Sequence, residues 1–265
     1  NGTIENNIII SNTGGNGAGL RHCDGTIRNN IIAGNSARKR GGGLRRSHGV
    51  IENNTIVGNS AGYFGGGLFE CNAKISNCII WGNRADDGAQ LWEGNEPTYS
   101  CIQDWTAGGE GNIAEEPLFV DATGADGDPE RPDDNDYRLQ PNSPCIDAGN
   151  NSVIVRPQLD LDGNMRVAFG GTSLTVDIGA YEYKSAPLAV SQVAKEGDGL
   201  LLIWNSQPTQ TYTVWSCAHM VGSQWVEEEM IVSEGTLTHW TDPCITFPSK
   251  FYRIELEWPT SAVVR

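Results

Sequence analysis

Gly25-Thr-Ile-Arg-Asn-Asn30 returns as Gly49-Val-Ile-Glu-Asn-Asn54. It is preceded by Gly2-Thr-Ile-Glu-Asn-Asn7 and followed by Ala73-Lys-Ile-Ser-Asn-Cys78. The offsets are 23, 24 and 24 residues. Two further blocks keep the same step. Gly41-Gly-Gly-Leu44 matches Gly65-Gly-Gly-Leu68, with looser copies at Gly17-Ala-Gly-Leu20 and Gly88-Ala-Gln-Leu91. Gly34-Asn35, Gly58-Asn59 and Gly82-Asn83 form the other. A fixed period of this length signals a stacked-repeat architecture. Ile and Val at constant phases read as short strands, and Gly supplies the positive φ of the turns between them. Asn tolerates the left-handed region and can bond its equivalent one coil away. The pattern therefore predicts one coil of a parallel β-helix per repeat, stacked at about 4.8 Å. Ile4, Ile27, Ile51 and Ile75 should form one interior column, and Leu20, Leu44, Leu68 and Leu91 another. A leucine-rich repeat of similar period needs several Leu per repeat, and here one is phased.

Ser100-Cys101-Ile102 falls 23 residues after Asn77-Cys78-Ile79, so residues 97–104 read as a fifth, incomplete coil. The chain opens inside a repeat, and natural solenoids are capped, so we expect the C-terminal piece of a longer or processed protein. Composition agrees with an all-β protein: 33 Gly in 265 residues and only 19 % charged residues. The formal net charge of −15 argues against a nucleic-acid partner. No apolar run approaches the roughly 18–20 residues of a membrane helix. The acid is uneven. Residues 1–96 hold 9 Lys+Arg against 8 Asp+Glu, residues 97–186 hold 5 against 16, and residues 187–265 hold 4 against 9.

Five spaced segments carry a family resemblance: Asn77-Cys-Ile-Ile-Trp-Gly-Asn83, Tyr99-Ser-Cys-Ile102, Asp136-Tyr-Arg-Leu139, Asn142-Ser-Pro-Cys-Ile-Asp-Ala-Gly149 and Asp177-Ile-Gly-Ala-Tyr-Glu-Tyr183. Together they resemble the secreted right-handed parallel β-helix proteins of planctomycete-type bacteria, described as choice-of-anchor or polymorphic-membrane-protein-like. Over residues 1–186 the resemblance implies a right-handed β-helix and an extracellular or cell-surface location, and it implies little about activity. The expected organisation is regular coils over 1–104, an irregular C-terminal β-helix or capping region with acidic loops over 105–186, and a small antiparallel β-sandwich over 187–265. In the last zone, strand-like runs such as Leu200-Leu-Leu-Ile-Trp204, Tyr212-Thr-Val-Trp215 and Phe251-Tyr-Arg-Ile254 are separated by turn residues.

Asp121, Asp126, Asp128, Asp133, Asp134 and Asp136 crowd a Gly- and Pro-rich stretch, and Asp160-Leu-Asp162-Gly-Asn164 adds a second acidic pattern. Hard oxygen ligands on such a loop suit a structural Ca2+, although no Glu follows at an EF-hand offset. The competing reading is a solvated acidic loop. Of seven cysteines, Cys23 and Cys71 share a phase two coils apart and read as small interior fillers. Cys78 and Cys101 fall at one phase in adjacent coils. Cys217 and Cys244, each after a strand-like run, are the disulfide candidate.

The coil register lines up candidate chemistry. Arg21, Arg45, Phe69 and Trp92 follow the phased Leu, and His22, Arg46, Glu70 and Glu93 come next, with His48 close by. Arginines grip carboxylate or sulfate bidentately, and aromatic faces, with Tyr63 among the candidates, stack on sugars. This places substrate-binding roles on Arg21, His22, Arg46, Tyr63, Phe69 and Trp92. One coil apart, Glu70 and Glu93 could form a carboxylate pair at roughly 5–7 Å, with Arg45 or His48 as base. The clustered Asp, Gly-His-Gly and Arg-x-Lys motifs of pectate lyases and polygalacturonases are absent. Three readings stand: a secreted β-helix that binds polysaccharide along its outer face, a polysaccharide lyase or glycoside hydrolase, and a non-catalytic adhesive protein. Coil-to-coil Arg46–Glu70 pairing is the purely structural alternative.

Overall fold

The computed structural model describes residues 2–129, 131–154, 158–166, 175–183, 190–196, 199–206, 211–218, 224–235, 237–243 and 250–256. The chain divides into two compact units, Asn1–Lys184 and Ser185–Arg265. Among the described residues, one three-residue 3-10 turn, Asn151–Val153, is the sole helical element.

The first unit is a parallel β-solenoid with four sheets running along its length. Thr3–Glu5, Thr26–Arg28, Val50–Glu52 and Lys74–Ser76 form one. Ile8–Ile10, Ile31–Ala33, Thr55–Val57, Ile79–Trp81 and Cys101–Ile102 form the longest. Thr13–Asn16, Ser36–Arg40 and Ser60–Ala61 form a third, and Leu20–Arg21, Leu44–Arg45, Leu68–Cys71 and Leu91–Gly94 the fourth. The repeat register holds: Ile4 faces Ile27, then Ile51 and Ile75. Leu20, Leu44, Leu68 and Leu91 line up in the same way. These columns meet in the interior with Ile32, Ile56, Ile80 and Ile102.

Two polar ladders tie the coils. Asn7, Asn30 and Asn54 form one, and Asn12, Asn35, Asn59 and Asn83 the other. Each Asn side chain accepts from the backbone and the amide of its neighbour in the preceding coil, at 2.9–3.1 Å. The Asn before the first ladder, at 6, 29, 53 and 77, takes φ of 52–57° and turns the corner. Gly49 is required by close stacking, because a Cβ there would stand 2.0 Å from the Gly25 carbonyl oxygen.

The fifth coil is one residue shorter than its spacing suggests. Ile79 pairs with Cys101, an offset of 22, and Cys78 meets Ser100. Cys78 therefore lies in the interior while Cys101 belongs to a second apolar cluster on the outside of the longest sheet. There its side-chain partner is Cys145. That outer cluster shows where the described part of residues 105–183 packs. Phe119, Tyr137, Leu139, Cys145, Ile178 and Ala180 pack sideways onto Ile31, Val57 and Ile79. The backbone of Ala180 donates to Thr55 Oγ1 at 3.0 Å, and Asn77 Oδ1 accepts from Asn150 at 2.8 Å.

The second unit has two three-stranded antiparallel sheets: Val190–Glu196 with Gly199–Asn205 and Leu237–Asp242, and Val226–Val232 with Thr211–Cys217 and Phe251–Leu256. Leu202, Trp204 and Trp240 of one sheet meet Tyr212 and Val214 of the other, the facing arrangement of a sandwich. Cys217 carries a free, buried thiol, and its candidate partner Cys244 lies outside the described residues.

Candidate functional site

The fourth sheet brings the sequence-derived candidates together as two adjacent columns. Arg21 pairs with Arg45, Arg45 with Phe69 and Phe69 with Trp92. His22, Arg46, Glu70 and Glu93 form the second column, all with left-handed φ between 47° and 54°. This left-handed residue bends the chain, ending the strand in the first two coils, and the following Cys23, Ser47 and Cys71 turn inward; Ser47 Oγ accepts from the Cys23 backbone.

Arg45 is buried, at 6 % exposure, and its guanidinium lies 5.6 Å from the Phe69 ring centre. Arg40 reaches the same ring at 5.6 Å and Phe64 at 5.5 Å. Phe64 stacks on Trp92 at 4.8 Å, and exposed Tyr63 sits 6.5 Å from Phe64. The result is an interleaved layer of cations and rings. Burial lowers the Arg45 pKa, and the positive charges of Arg46, Arg21 and Arg40 lower it further. Its Nε has no hydrogen-bond partner. Among the described residues, Arg46 alone of these four arginines holds a carboxylate, that of Glu70.

That pair sets the charge of one member of the expected carboxylate couple. The hydrogen bond from Arg46 holds the Glu70 carboxyl below the ordinary carboxylate range, and Arg45 and Arg40 act in the same direction. An ionised Glu70 suits the base or nucleophile of such a couple and not its general acid. Glu93 lies beyond it in the column, exposed. His48 is exposed in the next turn, where its Nδ1 accepts from the Asn72 backbone at 3.3 Å. The geometry joins Arg21, Arg45, Phe69, Trp92 and Tyr63 into one layer and leaves His48 tied to the turn backbone.

Five of the six aspartates of the middle zone are engaged by their own loop or by a nearby arginine. Asp121 Oδ1 accepts from the backbone of Thr123 and Gly124, Asp134 from Ala125 and Asp126 from Asp128. Asp136 pairs with Arg138, while Asp126 and Asp128 stand 3.6 and 3.9 Å from Arg131. Asp133 is exposed on the same loop. Among the described residues, no three His, Cys, Asp or Glu side chains form a group able to hold a metal ion. Asp160 closes a turn on itself, accepting from Asp162 and Asn164.

Sequence reasoning missed one concave feature. Between the solenoid and the segment 116–140 lies a cleft of about 490 Å³. Its floor carries Val57 and Trp81, then Gly34, Gly58 and Gly82, then Ser36, Ser60 and Arg84. The wall includes Phe119, Pro129, Tyr137 and Gln140. The repeated Gly-Asn block marked the floor in the sequence; nothing marked the wall that stands over it. Protein-family models give no match to this chain, and neither do curated proteins.

Proposed function

We propose that the protein is an extracellular or cell-surface β-helix that binds an acidic polysaccharide on the layer formed by Arg21, Arg40, Arg45, Tyr63, Phe69 and Trp92. The observation that supports this reading is the charge imbalance of the layer: among the described residues Arg21, Arg40 and Arg45 hold no carboxylate, and the one ion pair beside them, Arg46–Glu70, is already closed. Burial, and then repulsion among the neighbouring guanidiniums, lowers the Arg45 pKa, and an anionic ligand relieves that repulsion. Exposed Tyr63 and half-buried Trp92 supply faces for sugar C–H groups while the guanidiniums take carboxylate or sulfate; Phe69, only 2 % exposed, backs Arg40 and Arg45 and does not reach the ligand. Glu70, held by Arg46, balances only part of the positive charge at the edge of the layer.

The test is calorimetric binding of pectate, alginate and chondroitin sulfate, repeated at rising salt. Arg45→Ala and Trp92→Ala should each weaken binding about tenfold, some 1.4 kcal/mol, and salt should weaken it in the parent protein. Loss of neither salt sensitivity nor affinity in the variants would remove the layer as the site. Release of unsaturated or new reducing ends, abolished by Arg45→Ala or Glu70→Ala, would instead make the protein a lyase or a glycoside hydrolase.

A further inference from the structure

The cleft over the glycine row is a second binding site, distinct in chemistry from the arginine layer, and we propose that it takes an uncharged oligosaccharide. Its volume, about 490 Å³, lies inside the roughly 300–1,000 Å³ of ordinary ligand sites. Gly34, Gly58 and Gly82 sit at φ of 61–64°, so three successive coils present bare backbone there. The tip of the wall closes over this row: a Cβ on Gly58 would stand 3.3 Å from the Pro129 carbonyl oxygen. On one side of the row is the half-buried indole of Trp81. On the other, Ser60 donates to Ser36 at 3.0 Å. An aromatic face bordered by hydroxyl and amide groups suits a pyranose ring, which offers apolar C–H bonds on its faces and hydroxyls at its edge.

Charge selects among sugars. Arg84 and Glu116 line the cleft, one of each sign. The surrounding wall segment adds Asp121, Asp126 and Asp128, beside the lining residues Ala122 and Pro129; Arg131 stands 3.6 and 3.9 Å from the last two aspartates, so acid remains in excess. Uronates and sulfated sugars are therefore disfavoured at the mouth, and neutral chains are not. The wall is also held under backbone strain. Leu118, a bulky residue, has φ of 51°. Its carbonyl accepts from the Gln140 backbone at 2.9 Å, and Gln140 Nε2 donates to the Phe119 carbonyl at 2.6 Å. Strain of this kind costs of order 1–3 kcal/mol and persists where surrounding contacts fix it.

Titration calorimetry with gluco-, xylo- and mannohexaose, against hexagalacturonate, tests the proposal. At least one neutral hexaose should bind, with affinity unchanged between about 0.05 and 0.5 M salt. Trp81→Ala should weaken it at least tenfold. Because Trp81 also packs on the solenoid, Ala122→Trp is the second variant; it fills the mouth from an exposed position and should abolish binding while leaving the melting temperature unchanged. Arg45→Ala should leave neutral binding intact, which separates this site from the arginine layer. The proposal is overturned if no neutral hexaose binds, if binding survives Ala122→Trp, or if the cleft takes only hexagalacturonate in a salt-sensitive way lost with Arg84→Ala.

Discussion

Cys78 has no exposed surface, and burial pushes its thiol up to about 12; Cys71, nearly as enclosed, is pushed up to about 11. Cys145 is driven up by its contact with Cys101 and by burial. Cys23 shares the column of Cys71 but is only half-buried, in the first described coil. The thiolate is the species that alkylates, so a shift of three units leaves about 10³-fold fewer reactive molecules. A short pulse of iodoacetamide on the native protein, read by peptide mass, should label Cys23 first among the six described cysteines. Labelling of Cys78 at a comparable rate would mean that the coils open on that timescale. The column of Cys23, Ser47 and Cys71 was legible because the repeat fixes its phase. The partner of Cys101 was not. One residue fewer in the fifth coil moves Cys101 from inside to outside, since strand side chains alternate faces.

Asn59 shows what a repeat contributes at the level of an element. Its Oδ1 accepts from the backbone and amide of Asn35, and its Nδ2 donates to the Ile32 carbonyl at 2.8 Å and to Asn83 Oδ1 at 2.9 Å. Asn59→Ala strips these bonds from a fully buried site and leaves several partners unsatisfied. At about 1–3 kcal/mol for each stranded group, the loss should reach roughly 3–5 kcal/mol. Asn7→Ala, at the exposed end of the other ladder, should cost less than about 0.5 kcal/mol. Urea unfolding followed by circular dichroism measures both, and equal effects would show that the ladder does not act through burial. The ladders and the Ile and Leu columns could be read from sequence because each contact joins equivalent positions one period apart. The cleft could not, since its floor at Gly58 and its wall at Pro129 share no periodic relation.

For the solenoid unit as a whole, the lateral cover is anchored by a buried polar hub that no local pattern announces. Arg166 Nη1 lies 3.0 Å from Glu182 Oε1, and Arg166 Nη2 donates to the Gly179 carbonyl at 2.7 Å. Asp160 Oδ2 accepts from the Glu182 backbone at 2.8 Å, and Asp177 Oδ1 from the Asp147 backbone at 2.8 Å. One arginine thus faces Asp160, Asp177 and Glu182, with Asp147 and Glu52 nearby, an excess of buried negative charge. Burial pushes the Asp177 carboxyl up to about 7; Asp147 adds to the rise, while two backbone N–H bonds and Arg166 oppose it. Unfolded, the same group titrates near about 4. Between those limits the folded chain binds the extra proton, so Asp177 stabilises fully below about pH 4 and loses that contribution as pH rises through about 7. Asp177→Asn fixes the neutral form but replaces one accepting oxygen with an amide. It should destabilise by about 1–2 kcal/mol near pH 5, and the gap to the parent should narrow toward pH 8. Thermal melts of both proteins across this range check it, and parallel stability curves would show that Asp177 keeps the same charge throughout, leaving the hub held by the Arg166–Glu182 pair alone.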